Sequence, residues 1–62
     1  MRYQDEPIEI EYDQELQDTG KAVLYDIGGE EIWIPIKFLL DRDSNTSTIT
    51  IPLWLAQDRG LY

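Results

Sequence analysis

Alternating apolar and acidic residues mark the first predicted strand. The segment Pro7–Tyr12 reads Pro-Ile-Glu-Ile-Glu-Tyr, with an apolar side chain at every second position. Because successive side chains of a strand point to opposite faces, Ile8 and Ile10 would be buried while Glu9 and Glu11 face water. We therefore predict a strand with one buried and one hydrated face.

A β-hairpin is the clearest pattern in the chain. Two strand-like runs, Lys21–Ile27 and Glu30–Ile36, are separated by Gly28-Gly29. Glycine readily adopts the positive φ that two-residue hairpin turns require. This turn sets the register, and the predicted pairs are Ile27 with Glu30, Asp26 with Glu31, Tyr25 with Ile32, Leu24 with Trp33, and Val23 with Ile34. The outer face of the hairpin would then carry Leu24 and Trp33 beside Asp26 and Glu31.

The segments on either side of the hairpin carry weaker signals. Residues 13–19 are polar apart from Leu16, and Gly20 follows them, which favours a loop or one helical turn. Pro35 cannot donate a backbone hydrogen bond, so we expect residues 36–40 to end at a sheet edge or to form a short helical turn.

The C-terminal third predicts one more strand and a helix. Residues 41–47 read as a turn-rich connector, and residues 48–51 alternate as a short strand that returns beside the preceding apolar segment. Pro52 suits the first position of a helix over residues 53–59, and Gly60 suits the position after its end.

These elements predict a mainly β (α+β) fold. We expect about four antiparallel strands in one twisted sheet, which could curl towards an SH3-like barrel, with one short C-terminal helix. The chain of 62 residues would be a single small acidic domain, with residues 1–6 as a flexible N-terminus. Open sheet edges and a thin core make a homodimer a further expectation.

Composition narrows the classes of function. Apolar residues make up 42% of the chain, which is too many for a disordered acidic tail. Cysteine and histidine are absent, so disulfides, thiol chemistry, the usual zinc ligands and the commonest general base are all missing. We expect neither enzyme activity nor a cofactor nor a bound metal.

The net charge of the chain limits the classes of partner that it can bind. Thirteen acidic residues against five basic ones give a formal net charge of −8, which would repel nucleic acid and anionic membranes alike. The N-terminus is acidic rather than basic and apolar, and no apolar run approaches the length of a membrane span, so we expect a cytoplasmic protein.

Seven of the thirteen acids lie between Asp5 and Asp18, with no basic residue among them. On a strand, Glu9 and Glu11 would lie about 6.8 Å apart on one side, and Asp13 and Glu15 would extend this row if the strand continued. That spacing is on the scale of successive phosphates of a nucleic-acid strand. Each phosphate lies about 3.4 Å further along the helix axis than the one before it, plus a lateral displacement. A line of carboxylates could therefore replace a phosphate backbone in a basic groove. The alternative is a hydrated strand face that only prevents aggregation.

The two tryptophans allow two interpretations. The terminal helix could cover the outer face of the hairpin by packing Trp54 against Trp33 and Leu24, which would complete the core. If it does not, the pair Leu24 and Trp33 would be a binding site or a dimer seam.

Asp41, Asp43 and Asn45 copy the first three ligand positions of a calcium-binding loop. The sixth position is Thr46 rather than glycine, and the twelfth is Pro52 rather than glutamate. Both the turn and the bidentate ligand are missing, so we interpret this segment as an ordinary turn stabilised by Asp and Asn side chains.

The runs Lys21–Pro35, Ile49–Ala56 and Gly60-Leu61 resemble a class of very small proteins encoded by bacteriophages and prophages. In that class a strand, a tight turn and a Glu-x-Trp-Ile-Pro strand precede a Trp-Leu-Ala helix that ends in Gly-Leu. The resemblance extends over residues 21–61, about two thirds of the chain, and describes a scaffold rather than an active site. It implies a setting in the bacterial host cell, where small acidic anti-CRISPR proteins often act as DNA mimics.

Two functions remain open, beside a structural dimer whose charge serves only solubility. The first is an anti-CRISPR type of inhibitor, which presents an acidic, DNA-mimicking surface to the nucleic-acid-binding groove of a basic protein or nucleoprotein such as a CRISPR effector. The second is a non-enzymatic accessory or assembly module of phage replication or recombination, which docks through Trp33 and the C-terminal helix. The predicted partner-binding residues are Glu9, Glu11, Asp13, Glu15, Asp26, Glu31 and Trp33.

Overall fold

The computed structural model describes residues 3–62. The strands are β1 (Pro7–Glu11), β2 (Gln14–Asp18), β3 (Ala22–Ile27), β4 (Glu30–Pro35), β5 (Asp41–Asp43) and β6 (Thr48–Pro52), and the helix is α1 (Leu53–Asp58). Two short 3-10 turns, Tyr3–Asp5 and Ile36–Phe38, precede β1 and β5.

The strands form two antiparallel sheets. Sheet A has the order β1-β6-β5, and sheet B has the order β2-β3-β4. The predicted fold class, mainly β with one short C-terminal helix, is confirmed. The described residues form six strands in two sheets rather than about four in one, because two polar segments that read as loops are strands.

The predicted hairpin is present with the predicted register. β3 and β4 pair from Ala22 opposite Pro35 to Ile27 opposite Glu30. Gly28 and Gly29 have φ angles of 63° and 88°, the left-handed conformation that the turn requires. Local chemistry alone therefore determines how these two strands pair.

Strand β2 corrects the prediction of a loop or helical turn over residues 13–19. All five of its residues are exposed, so it has no apolar alternation from which a strand could be recognised. It forms because its backbone pairs with β3, with a bulge between Glu15 and Gln17. The bulge places Glu15 opposite Tyr25 and Asp18 opposite Val23, so both acids take the core-facing side at the edge of sheet B.

Strand β5 corrects the prediction of a continuous connector over residues 41–47. Asp41–Asp43 pair with β6, and the turn occupies the residues that follow. The expected helical turn after Pro35 is present as Ile36–Phe38, and Gly60 has the expected positive φ of 74°. Pro52 is the last residue of β6 and the N-cap residue of α1. It therefore precedes the helix, whereas the sequence predicts it as the first helical residue.

The core lies between the two sheets and under α1. Its buried apolar residues come from both sheets and the helix, and they are Ile10, Val23, Tyr25, Ile32, Ile34, Ile49, Ile51, Leu53, Leu55 and Ala56. Tyr12 packs its ring against Tyr25, with a centroid separation of 4.6 Å. Helix α1 contacts β1, β6 and the Tyr3–Asp5 turn.

The segment predicted to be a flexible N-terminus, residues 1–6, is described only from residue 3 onwards. Tyr3–Asp5 form a 3-10 turn in which the amide of Glu6 donates to the carbonyl of Tyr3, at 3.1 Å. The carbonyl of Glu6 then accepts a hydrogen bond from the amide of Leu53, at 2.8 Å, which joins this segment to the start of α1. The first two residues lie outside the described part of the chain.

Candidate functional site

Four carboxylates surround two threonines on the outer surface of sheet A. The pairing places Glu9 and Asp41 on opposite sides of Thr50, and Glu11 and Asp43 on opposite sides of Thr48. Directly opposed residues of antiparallel strands point to the same face. The alternate residues Ile10 and Ile49 are buried, so these six side chains face outward. We call the surface formed by Glu9, Glu11, Asp41 and Asp43 the acidic face.

The dimensions of the acidic face follow from sheet geometry. Glu9 and Glu11 are two residues apart on one strand, a separation of about 6.8 Å. Glu9 and Asp41 are two strands apart, about 9.6 Å. All four acids are exposed. The face is therefore a small two-row array of negative charge rather than a single line.

No base within residues 3–62 neutralises this array. Arg42 lies on β5 between Asp41 and Asp43, but its position opposite Ile49 directs it to the other side of the sheet. Across the described residues, three acids form ion pairs, Glu15 and Asp18 with Arg42 and Asp58 with Arg59. The other ten acids, including the four of the acidic face, make no ion pair within this part of the chain.

Local hydrogen bonds hold Asp43 in place. Its Oδ1 accepts from the amides of Asn45, at 2.9 Å, and Thr46, at 3.4 Å. The hydroxyl oxygens of Thr46 and Thr48 lie 2.8 Å apart and continue this bonding on to β6. The segment that copies a calcium loop thus begins as β5 and continues as a turn that the Asp43 side chain stabilises. No cluster of three or more potential metal ligands occurs among residues 3–62.

The predicted row does not continue past Glu11, because β1 ends there and the chain crosses to sheet B. Asp13 lies in the crossing, where its Oδ2 accepts from the amide of Gly28 at 3.0 Å and so supports the hairpin turn. Glu15 lies 3.8 Å from a guanidinium nitrogen of Arg42. Both acids have structural partners and lie apart from the acidic face.

Arg42 joins the two sheets at one edge. Its guanidinium lies 3.8 Å from Glu15 and 3.5 Å from Asp18, both on β2. The Tyr25 hydroxyl is buried without a hydrogen-bond partner among the described residues. Burial raises the pKa of this hydroxyl, and Glu15 and Asp18 raise it further, whereas Arg42 lowers it.

The outer surface of sheet B carries the four predicted residues, Leu24, Trp33, Asp26 and Glu31. We call this surface the tryptophan face. Trp33 is 42% exposed. The predicted alternative in which Trp54 covers it is wrong, because Trp54 packs edge-on against Phe38 with ring centroids 4.9 Å apart.

The predicted partner-binding residues divide into three groups. The acidic face holds Glu9 and Glu11, and the tryptophan face holds Asp26, Glu31 and Trp33. Neither face includes Asp13 or Glu15. Sequence reasoning missed Asp41 and Asp43 as members of the acidic face. Both residues belong to the predicted connector, and only their pairing with β6 brings them onto the same face as the acids of β1. The alternation of acids at residues 41 and 43 was the one available signal.

No family model matches this chain, and neither the curated proteins nor the solved structures contain a match to it. Residues 3–62 enclose no pocket. Within the same residues, α1 and the two 3-10 turns are all too short to cross a bilayer.

Proposed function

We propose that this protein is a non-catalytic inhibitor that binds, in place of polynucleotide, to the basic groove of a nucleic-acid-binding protein. The acidic face is the surface that it presents. The observation that carries this proposal is the array of Glu9, Glu11, Asp41 and Asp43, which no base of residues 3–62 pairs.

The array suits a phosphate-binding groove for a physical reason. Lysines and arginines that line such a groove are spaced to neutralise successive phosphates. Carboxylates held about 6.8 Å and 9.6 Å apart on a hydrogen-bonded sheet meet several of those cations without a large loss of conformational entropy. The flanking strands β1 and β5 are each paired to β6, so the array is rigid.

The setting proposed for this activity is the cytoplasm of a bacterial host, with a CRISPR effector as the target. It rests on the resemblance of residues 21–35, 49–56 and 60–61 to small phage-encoded proteins. The protein's own net charge of −8 disfavours direct binding to nucleic acid.

Affinity capture from bacterial lysate at low and high salt tests this proposal. A basic nucleic-acid-binding protein should be retained at low salt and released as salt rises, because the contacts are ionic. The variant Glu9→Lys/Glu11→Lys should lose that protein. The matched control Asp5→Lys/Glu6→Lys has the same change of charge at exposed acids outside the acidic face and should retain it. Equal capture by both variants would contradict the proposal.

A second candidate function is an accessory module that docks through Trp33. The exposure of Trp33 favours it. Helix α1 directs Leu53, Leu55 and Ala56 into the core, whereas Gln57 and Asp58 near its end are exposed. The Arg59 side chain, which follows the helix, donates from Nε to the carbonyl of Trp33 at 3.3 Å. Here binding should be lost in Trp33→Ala and kept in the acidic-face variant Glu9→Lys/Glu11→Lys.

A further inference from the structure

The tryptophan face combines an uncovered aromatic ring with unpaired acids. Leu24 and Trp33 form one cross-strand pair, and Asp26 and Glu31 form the next equivalent pair on the same face. Neighbouring pairs on one face are about 6.8 Å apart along the strands. The indole and both carboxylates are therefore within reach of one long side chain.

The charges of this surface lack a partner inside the described chain. Neither Asp26 nor Glu31 forms an ion pair with a base of residues 3–62. The Oδ1 atom of Asp26 is also buried without a hydrogen-bond donor in this region. Because Oδ1 has no accessible surface, a donor from outside would meet the exposed carboxylate of Glu31 and the other carboxylate oxygen of Asp26.

Arginine fits this combination better than any other side chain. Its planar guanidinium stacks on an indole ring and at the same time donates several hydrogen bonds to carboxylates. Its aliphatic stem would lie over Leu24. Lysine offers the charge but neither the stacking nor the forked donors.

A second copy of this chain fits poorly. Each copy would bring its own Asp26 and Glu31, and a net charge of −8, to the same interface. Like charges placed together in a desolvated interface cost several kcal/mol. The charge of the surface therefore selects a cationic occupant.

We propose that the tryptophan face binds an arginine-bearing segment of a partner protein, with the guanidinium stacked on Trp33 and hydrogen-bonded to Glu31 and Asp26. This interface lies on sheet B, separate from the acidic face of sheet A. The proposal holds whether or not the acidic face binds a nucleic-acid groove.

Titration with short peptides, followed by the amide and indole NMR signals of the labelled protein, tests this inference. The probes are acetyl-Leu-X-Leu-amide peptides in which X is arginine, lysine or citrulline, the neutral analogue of arginine. The arginine peptide should shift the Trp33 indole signal and the Leu24 and Glu31 amides in a saturable manner. The lysine peptide should bind about threefold more weakly, and the citrulline peptide about tenfold more weakly.

Variants separate this surface from the acidic face. Trp33→Ala and Glu31→Gln should each weaken binding of the arginine peptide about fivefold. Glu9→Gln, which removes the same charge from the acidic face, should leave the affinity within about twofold. Glu31 is exposed, so its amide variant tests the proposal even if Trp33→Ala fails to fold.

Four results would overturn the inference. The first is equal binding of the arginine and citrulline peptides, and the second is a set of shifts centred on Glu9 and Glu11. The third is a change of the Trp33 signals with protein concentration in the absence of peptide, which would assign the surface to a second copy of the chain. Failure of the peptides to bind would also refute it, without bearing on the acidic face.

Discussion

Replacing the carboxylates of the acidic face by amides should stabilise the fold, and the gain should disappear at high salt. Like charges that folding brings together oppose folding. Glu9 and Glu11 are two residues apart in the folded and unfolded chain alike, as are Asp41 and Asp43. Their repulsion therefore largely cancels between the two states, and the terms that remain act between β1 and β5, across β6.

The magnitude follows from the sheet geometry. Four pairs of acids face each other across β6. The pairs Glu9–Asp41 and Glu11–Asp43 lie directly across at about 9.6 Å, and the two diagonal pairs are about 11.8 Å apart. In water, each direct pair repels by about 0.4 kcal/mol and each diagonal pair by about 0.35 kcal/mol before screening. Screening reduces the sum of the four terms to about 1.1 kcal/mol at 0.01 M salt, about 0.4 kcal/mol at 0.15 M and about 0.05 kcal/mol at 1 M.

A double-mutant cycle between the two strands measures this sum. The first block is Glu9→Gln/Glu11→Gln, the second is Asp41→Asn/Asp43→Asn, and the fourth corner carries all four changes. Asparagine at position 43 keeps a side-chain oxygen that can accept the turn's hydrogen bonds. Urea unfolding of the four proteins at three salt concentrations gives the coupling free energy between blocks.

The expected coupling is repulsive, about 1 kcal/mol at 0.01 M salt, and absent at 1 M. A coupling of zero at the lowest salt would mean that the four acids do not share one face. A coupling that is unchanged between low and high salt would mean that it is not electrostatic. Either result would refute the geometry on which the proposed function depends.

Three further predictions concern stability. Arg42→Met should lower the free energy of unfolding by about 0.5–1 kcal/mol, because two partly exposed ion pairs are lost. The control Lys37→Met should change it by less. Equal midpoints of urea unfolding for the two variants would contradict this. Burial raises the folded-state pKa of Tyr25 above its unfolded value of 10.0, so the contribution of this group to stability should be constant below that pH and be lost as pH rises through the folded pKa. Tyr25→Phe should abolish that alkaline loss in pH-dependent unfolding, and persistence of the loss would assign it to another group. Ile34→Ala, at a fully buried position, should lower the free energy of unfolding by about 2–5 kcal/mol. Leu40→Ala, at a position that is 55% exposed, should lower it much less. Similar losses of stability in thermal unfolding would place Ile34 outside the core.

The sequence predicted the elements whose information is local. The Gly28-Gly29 turn determines the pairing of β3 with β4, and apolar alternation identifies β1 and β6. Helix α1 ends at Asp58, and Gly60, two residues later, adopts the positive φ that glycine tolerates after a helix. In each case the determining residues are neighbours in the chain.

The rest depends on contacts between distant segments. Strand β2 is polar throughout, and its pairing with β3 is absent from its own pattern. Asp41 and Asp43 join Glu9 and Glu11 only because β6 lies between their strands. The packing of Trp54 on Phe38, rather than on Trp33, is likewise set by where α1 rests in the folded chain.

Displacement of labelled duplex DNA from purified CRISPR effectors tests the central claim most directly. Fluorescence anisotropy should show that the wild-type protein displaces DNA from its target, and that the variant with all four amides at positions 9, 11, 41 and 43 does not. Asp5→Asn/Glu6→Gln should displace DNA as the wild type does, because those acids lie outside the acidic face. Simultaneous occupancy of one effector by DNA and this protein, or full displacement by the four-amide variant, would contradict the account.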